Sequence, residues 1–412
     1  MDRIVNWFTV RRWMAIGVFN LLLVAAFGLL MRLKVLLPLA FVDQKHIMHA
    51  HSHFAFSGWV SHALMLLLAM VVHGKSGQEK LPKAYQYLLL GNLFVSYGML
   101  ATFSYQGYGP YSICFSTLSI LLSYVFAYRA WHDIRISELS RMVQRWFRSA
   151  LLFLVLSSVG TFYLAYLQKT GSVDTHQQLA SVYFFLHFQY NGWFFFACMG
   201  LASYWLTKQG LALPIEKVVY RIFSWACIPA YMLSILWYNL PTVLYIVLVV
   251  VVSFQLIAWG LWLQMIYKQS RQHILLFSSS LVKGLIFAVV LAASIKFLLQ
   301  TFSVIPSLSV LAYSFRPIVV GYLHLVLLGI ITLFILAFAF QARIFAVSVW
   351  IKMSVIGFVS GVVLNELLLM LQGVSGIMGV FIPYIPFALS VAAGILFLSI
   401  FFLIVFVVNK SD

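Results

Sequence analysis

The chain has 412 residues, of which 63% are hydrophobic and only 8% are charged, and its net charge is +17. Soluble globular domains carry roughly 25% charged residues, so this composition excludes a soluble protein. Continuous apolar runs such as residues 244–254 (LYIVLVVVVSF) exclude a membrane β-barrel, whose strands alternate apolar and polar residues. The sequence therefore predicts an all-α polytopic integral membrane protein whose main partner is the lipid bilayer.

Apolar stretches of about 20 residues or more, the length needed to cross a bilayer, occur twelve times within a single transmembrane domain, 1–412. The connections are mostly short, with two exceptions. We expect 132–146 to be an amphipathic cytoplasmic segment, whereas 301–316 has no strong helical signature. The twelve predicted spans lie at residues 13–33, 47–73, 82–104, 111–131, 147–168, 177–207, 219–238, 241–267, 276–300, 317–341, 345–371 and 381–408.

The basic residues predict the orientation of these spans. With the N-terminus inside, 18 of the 26 Lys and Arg residues fall on the cytoplasmic side and 6, including Lys296, on the other side. Because cytoplasmic loops are enriched in Lys and Arg, we expect both termini in the cytoplasm and the protein in a bacterial inner membrane. The charges lie between apolar runs and form no basic face, so no nucleic-acid partner is expected.

Histidines are the most informative residues inside the spans. The second span begins HIMHAHSHFAFSGWVSHALM from His46, the sixth carries His187 and the tenth carries His324. Ionisable groups in a bilayer are costly and usually face a cofactor, a partner or a water-filled pathway. By the predicted span ends these histidines lie at similar depth in the outer half of the membrane, so we expect His51 or His53 to approach the other two. The alternative is that each histidine is only bonded to a neighbouring helix or wetted at the interface.

Other polar groups lie near the same level. Arg316 and Tyr322 precede His324 by eight and two residues. An arginine there suits a haem propionate, or it extends to the interface as an ordinary arginine at a span end. Glu366, beside Asn365, is either a helix–helix contact or part of a proton path, and the sequence does not choose between these two roles.

Twelve spans with histidines on the second, sixth and tenth resemble subunit I of the haem-copper oxidase superfamily, which includes the nitric oxide reductases. The segment HAHSHFAFSGW is also similar to histidine-rich segments of NnrS-type membrane proteins. The resemblance implies a b-type haem held by His324 together with His53, the preferred ligand of the second span, or with His51. It makes His187 the remnant of a copper ligand. We also consider His49, which lies one helical turn from His53, as a candidate metal ligand.

The chain departs from that family at two places. The seventh span, YRIFSWACIPAYMLSILWY, lacks the family's histidine pair, and the tenth has one histidine where the family has two. A complete haem-copper centre is therefore not expected. The resemblance implies a haem-binding redox protein of a respiratory membrane, with electron transfer or nitric oxide or oxygen chemistry and with respiratory subunits or an electron donor as partners. The alternative is a non-enzymatic transporter, or a carrier of copper or haem, that uses the same histidines.

Overall fold

The structure, a computed structural model, describes residues 8–40, 42–211, 213–238, 240–272, 277–308 and 315–409, without the side chains of 270–272. Both chain termini, whose location was predicted, lie outside the described residues. The described residues form helices and no strand. An all-α polytopic membrane bundle is the fold that the sequence predicts, and the structure confirms it.

Among the described residues, twelve helical elements each contain the core of one predicted span. We number them in chain order. They are α1 Val10–Leu36, α2 Gln44–Val72, α3 Lys83–Gln106, α4 Pro110–Ile136, α5 Arg141–Lys169, α6 Thr175–His187 continued by Phe188–Phe194 and Phe195–Lys208, α7 Glu216–Cys227 with Pro229–Ile235, α8 Thr242–Gln272, α9 Ser280–Phe302, α10 Arg316–Gln341, α11 Val349–Ile377 and α12 Ile385–Asn409.

Within the described ranges, ten of these helices are long and apolar enough to cross a membrane, and α7 makes eleven if its two bent halves form one span. The halves of α7 meet at Ile228 with a bend of 48°. The remaining element, α6, covers 34 residues, or about 50 Å at 1.5 Å per residue. Polar residues around His187 lower its hydropathy. The total of twelve spans therefore stays a prediction, because α6 is not among the helices that are apolar enough to cross a membrane.

One predicted connection is wrong. The segment 132–146 is not a separate amphipathic element, because α4 continues to Ile136 and α5 already begins at Arg141. Ser140 ends the short link, and its hydroxyl accepts a hydrogen bond from the backbone N–H of Val143. This is an ordinary N-cap, which satisfies one of the free N–H groups at the start of a helix.

The helices that carry histidines begin at defined residues. The Asp43 carboxylate accepts hydrogen bonds of 2.9 Å from the N–H groups of Lys45 and His46, which starts α2. Asp174 caps α6 in the same way. In α10, Pro317 occupies the first turn, where its missing N–H costs nothing. Local sequence thus fixes where each of these helices starts.

The contacts divide the chain into two compact units. Unit 1 comprises residues 1–126, 279–286 and 332–412, and unit 2 comprises residues 127–278 and 287–331. In unit 1, α1 packs against α2 and α12, and α2 packs against α3. Every residue from His62 to Val72 in α2 is buried, as is the segment 333–340 of α10. These two stretches form the centre of unit 1.

In unit 2, α5 packs along α6, and α7 packs against α8 and α6. The buried stretch of α6 runs from His187 to Leu201 with only Asn191 partly exposed. Phe188, Phe194 and Phe196 are among the largest fully buried side chains of the chain. Burial of aromatic rings on this scale is the main apolar contribution to packing in this unit.

Candidate functional site

In the described part of the chain, three helices contain a π-helical segment, and each segment begins one or two residues after a histidine. In α2 it is Ala55–Ser61 after His53, in α6 Phe188–Phe194 after His187, and in α10 Leu325–Thr332 after His324. A glycine follows each histidine by five residues, so the pattern His-x4-Gly recurs at intervals of about 135 residues. Single π-turns inside α-helices are rare and occur frequently at functional sites.

Neighbouring side chains satisfy backbone carbonyls in the π-helical segment of α2. The amide of Asn92 donates to the carbonyl of Ser57 at 3.0 Å, and the amide of Asn20 donates to the carbonyl of Gly58. Asn20 in turn accepts from the hydroxyl of Tyr97 at 2.7 Å. Both asparagines are buried. A carbonyl without a partner is expensive in a bilayer, so these amides stabilise the irregular turn.

His51 forms a hydrogen bond with a backbone carbonyl. Its Nδ1 lies 3.0 Å from the carbonyl oxygen of Val24 in α1, and the ring packs against Gly28, where an added Cβ would be 3.5 Å from the ring. A carbonyl can only accept, so in the neutral ring the proton is on Nδ1 and the lone pair is on Nε2. Haem iron and other metals require this tautomer when Nε2 is the ligand.

His53 lies in an aromatic cluster at the first turns of α2 and the last turn of α3. Its ring stacks on Phe103 with centroids 4.2 Å apart, and its Nε2 is 3.1 Å from the hydroxyl of Tyr108. His49 contacts the edge of the same Tyr108, with centroids 4.6 Å apart, and its buried Nε2 has no hydrogen-bond partner. His53 thus already uses the nitrogen that a metal would need, whereas His49 does not.

His187 is buried in unit 2 and both of its ring nitrogens are bonded. Its Nε2 donates to the carbonyl of Cys227 at 2.8 Å, in the bend of α7. Because Nε2 carries the proton, Nδ1 accepts, and it does so from the side-chain amide of Asn191 at 3.2 Å. This arrangement leaves no lone pair for copper without breaking one of these bonds.

His324 repeats the bonding of His51. Its Nδ1 lies 2.8 Å from the carbonyl of Val320 one turn earlier, which again places the proton on Nδ1 and the lone pair on Nε2. The nearby Tyr322 ring meets the Tyr190 ring edge-on, with centroids 6.1 Å apart. Arg316 is the first residue of α10 and is exposed. The helix dipole disfavours a cation there, so helix stability does not account for an arginine at this position.

Among the described residues, no group of three His, Cys, Asp or Glu side chains is arranged so that it could hold a metal ion. The candidate metal ligands His49 and His187 therefore do not belong to a ready three-ligand site within the described ranges. A haem differs from such a site because it needs only one or two axial ligands from the chain.

Sequence reasoning missed two features. The burial of Lys296 is the first: the charge count places this residue on the outer side, and the structure adds that it lies within α9 and is 5% exposed. The π-helical segments were also missed, although the His-x4-Gly spacing that marks them is visible in the sequence. Comparison with protein-family models and with curated proteins finds no match to this chain.

Proposed function

We propose that this is a haem-binding redox protein of a respiratory membrane, similar in plan to subunit I of the haem-copper oxidases. The observation that carries the proposal is the shared bonding of His51 and His324. Each ring donates its Nδ1–H to a backbone carbonyl, which leaves Nε2 as the atom with the lone pair. His51 is the proposed ligand in unit 1 and His324 the proposed ligand in unit 2. His53 remains the alternative ligand in unit 1, and haem binding there would require its Nε2 to give up the contact with Tyr108.

The bonding of α2 to α10 also supports the proposal. Trp59 in α2 donates a hydrogen bond to Thr332 in α10 within unit 1. His51 precedes Trp59 by eight residues, and His324 precedes Thr332 by eight residues. The two helices that carry the proposed ligands are thus bonded to each other at corresponding positions.

The chemistry proposed is electron transfer, with nitric oxide or oxygen as the related substrates. A b-type haem with imidazole ligands supplies one-electron redox chemistry when bound. The three cysteines, Cys114, Cys198 and Cys227, form no attachment motif for a covalently bound haem, which favours the b type. Arg316, exposed at the start of α10, is the proposed partner of a propionate. Copper at His187 is not part of the proposal, because both ring nitrogens are bonded.

The test is an optical spectrum of the purified full-length protein, produced in cells with ample haem. The expected result is a stoichiometric chromophore with the narrow absorption bands of low-spin haem after reduction with dithionite. If one haem takes both histidines, the spectrum is that of bis-imidazole iron. A protein that purifies without colour under these conditions overturns the proposal.

The second candidate is a transporter or a carrier of haem or copper, and the break in α7 favours it. The helix bends by 48° at Ile228, and the Cys227 carbonyl beside the bend accepts a hydrogen bond from His187. Discontinuous helices of this kind line binding sites in many transporters. A carrier would yield a substoichiometric ligand that exchanges with free ligand during purification. A redox protein would retain its haem.

A further inference from the structure

A small cavity lies inside unit 2, enclosed by α6, α7, α8 and α9. It leaves about 10 Å³ of space for the centre of a water molecule, which is room for one water. Four phenylalanine rings form half of its lining. The polar residues that line it are Asn191, Cys227, Gln255 and Lys296.

Lys296 brings a positive charge to this cavity. Its Nζ donates to the side-chain oxygen of Gln300 at 3.0 Å and lies 4.2 Å from the centre of the Phe297 ring. Among the described residues, no carboxylate lies within ion-pair distance of it. An ammonium group has three N–H donors, and the Gln300 bond uses one. A buried charge is expensive unless its hydrogen bonds are made, so the geometry calls for a further acceptor.

Two amide oxygens at the cavity each lack a hydrogen-bond donor. The side-chain oxygens of Gln255 and Asn191 are buried and accept no hydrogen bond from any described residue. The orientation of Asn191 is set by His187, because Nδ1 of that ring can only accept and so requires the amide N–H. The Asn191 oxygen is therefore not a misassigned nitrogen. Gln255 is 7% exposed, so solvent does not supply its partner.

We propose that the cavity binds one water molecule that accepts a hydrogen bond from Lys296 and donates to Asn191 and Gln255. Only a small neutral molecule with one acceptor and two donors meets all three needs. A small anion would face two amide oxygens, which repel it. An ammonium or metal cation would face the charge of Lys296. Water has the required donors and acceptor, and the space fits it.

This water gives the interior of unit 2 a hydrated cationic site. Reduction of oxygen or nitric oxide consumes protons, so a lysine that is bonded to an internal water is a group through which protons could be supplied; this role rests on the proposed function. The water site itself does not, because it follows from the cavity and its three polar groups. Its test is accordingly independent of any haem.

The test is X-ray radiolytic footprinting of the full-length protein, in which bound waters next to a side chain yield hydroxyl radicals that oxidise it. Cys227 lines the cavity and Cys198 does not. Cys227 is 2% exposed and Cys198 is 7% exposed, so surface exposure alone predicts slower oxidation of Cys227. The water site predicts the reverse, with Cys227 oxidised severalfold faster.

The variants make this comparison specific. Lys296→Met keeps the length of the side chain without its charge, and it should lower the oxidation rate of Cys227 to that of Cys198. Lys283→Met, the same change on the same helix away from the cavity, should leave the ratio unchanged. Gln255→Leu removes one acceptor and keeps Lys296, so it should also lower the ratio if Lys296→Met does not fold. Equal oxidation of the two cysteines in the parent protein, or an unchanged ratio in both cavity variants, overturns the inference.

Discussion

The indole N–H of Trp59 in α2 donates a hydrogen bond of 2.9 Å to the hydroxyl of Thr332 in α10, and both side chains are 1% exposed. Both residues belong to π-helical segments, Ala55–Ser61 and Leu325–Thr332. The bond therefore joins the irregular turns of two helices that carry candidate haem ligands. Because it lies where water does not compete, it is expected to stabilise the packing of these turns.

Removal of the Trp59 donor should destabilise the protein. In Trp59→Phe, Thr332 loses its buried donor, at a cost of about 1–3 kcal/mol. Thr332→Val removes the acceptor with little change of shape. If the bond matters, the double variant costs less than the sum of the two single changes. Unfolding of the three variants in detergent measures this coupling, and strictly additive costs would contradict it.

The three glycines of the His-x4-Gly pattern should differ in how well they tolerate substitution by alanine. In Gly58→Ala the new Cβ would lie 2.7 Å from the buried Phe54 ring, and in Gly192→Ala 2.5 Å from Cβ of Phe153. Such overpacking costs about 1–3 kcal/mol. At Gly329 the nearest atom, Cβ of Ala292, is 3.4 Å away, so Gly329→Ala should be tolerated.

The control for these substitutions is Gly260→Ala in α8, where nothing lies within 4 Å of the new Cβ. Alanine is the better helix former by about 1 kcal/mol, so this variant should be neutral or slightly more stable. Thermal unfolding of all four variants measures the order of their stabilities. Equal stability of Gly58→Ala and Gly260→Ala would show that the Phe54 contact relaxes without cost.

The loop between α2 and α3 should lose stability in acid. The N–H of Ser76 donates to the Glu79 carboxylate at 2.8 Å and Lys75 donates to it at 3.1 Å. These interactions, the Ser76 bonds first, lower the pKa of Glu79 from 4.5 to about 2. The stabilisation is therefore fully present above pH 4.5 and is lost as the pH falls toward 2.

The same loop binds the start of α1, since its carbonyls accept from the N–H groups of Val10 and Arg11. Loss of the Glu79 bonds should therefore loosen that end of α1. Glu79→Gln removes the titrating group, so the difference in unfolding temperature between parent and variant should shrink between pH 5 and pH 2. A difference that stays constant over this range would contradict the assignment.

The orientation of the spans is predicted by the charge bias alone. Reporter fusions after residue 170, between α5 and α6, and after residue 240, between α7 and α8, should both report the outer side. A fusion after residue 208, between α6 and α7, should report the cytoplasm. A cytoplasmic signal at 170 would mean that one of the first five predicted spans does not cross. An outer signal at 170 with a cytoplasmic signal at 240 would mean that α6 or α7 does not cross.

The sequence predicts the helices well and the polar contacts poorly. Hydropathy locates each helix because a helix needs about 20 apolar residues to cross the lipid bilayer. Every predicted span coincides with one helical element of the structure. The burial of Lys296 was not predicted, because the residue falls near the end of the predicted span 276–300 and composition does not show which face of a helix packs against its neighbours. Which ring nitrogen of His187 or His324 is bonded depends on carbonyls supplied by the fold. No pattern of residues could have predicted these tautomers.

The last prediction concerns the haem ligands. If haem is bound through Nε2 of His51 and His324, alanine at either position should abolish the absorption of low-spin haem in the reduced protein. His53→Ala should keep the absorption if His51 is the ligand in α2. His187→Ala should leave the spectrum unchanged unless a second metal is present, since both its nitrogens are bonded within unit 2.

The matched control for these ligand variants is His62→Ala, which removes a fully buried histidine from the same helix as His51. It should keep the haem spectrum although it creates a cavity that lowers stability. A second comparison uses imidazole in the medium, which can occupy the space of a deleted ligand and should restore the absorption in His51→Ala or His324→Ala but not in a misfolded variant. The full spectrum in both His51→Ala and His324→Ala would exclude these ligands. Loss in His53→Ala with retention in His51→Ala would instead assign the α2 ligand to His53, and would mean that Tyr108 gives up its bond when haem is present.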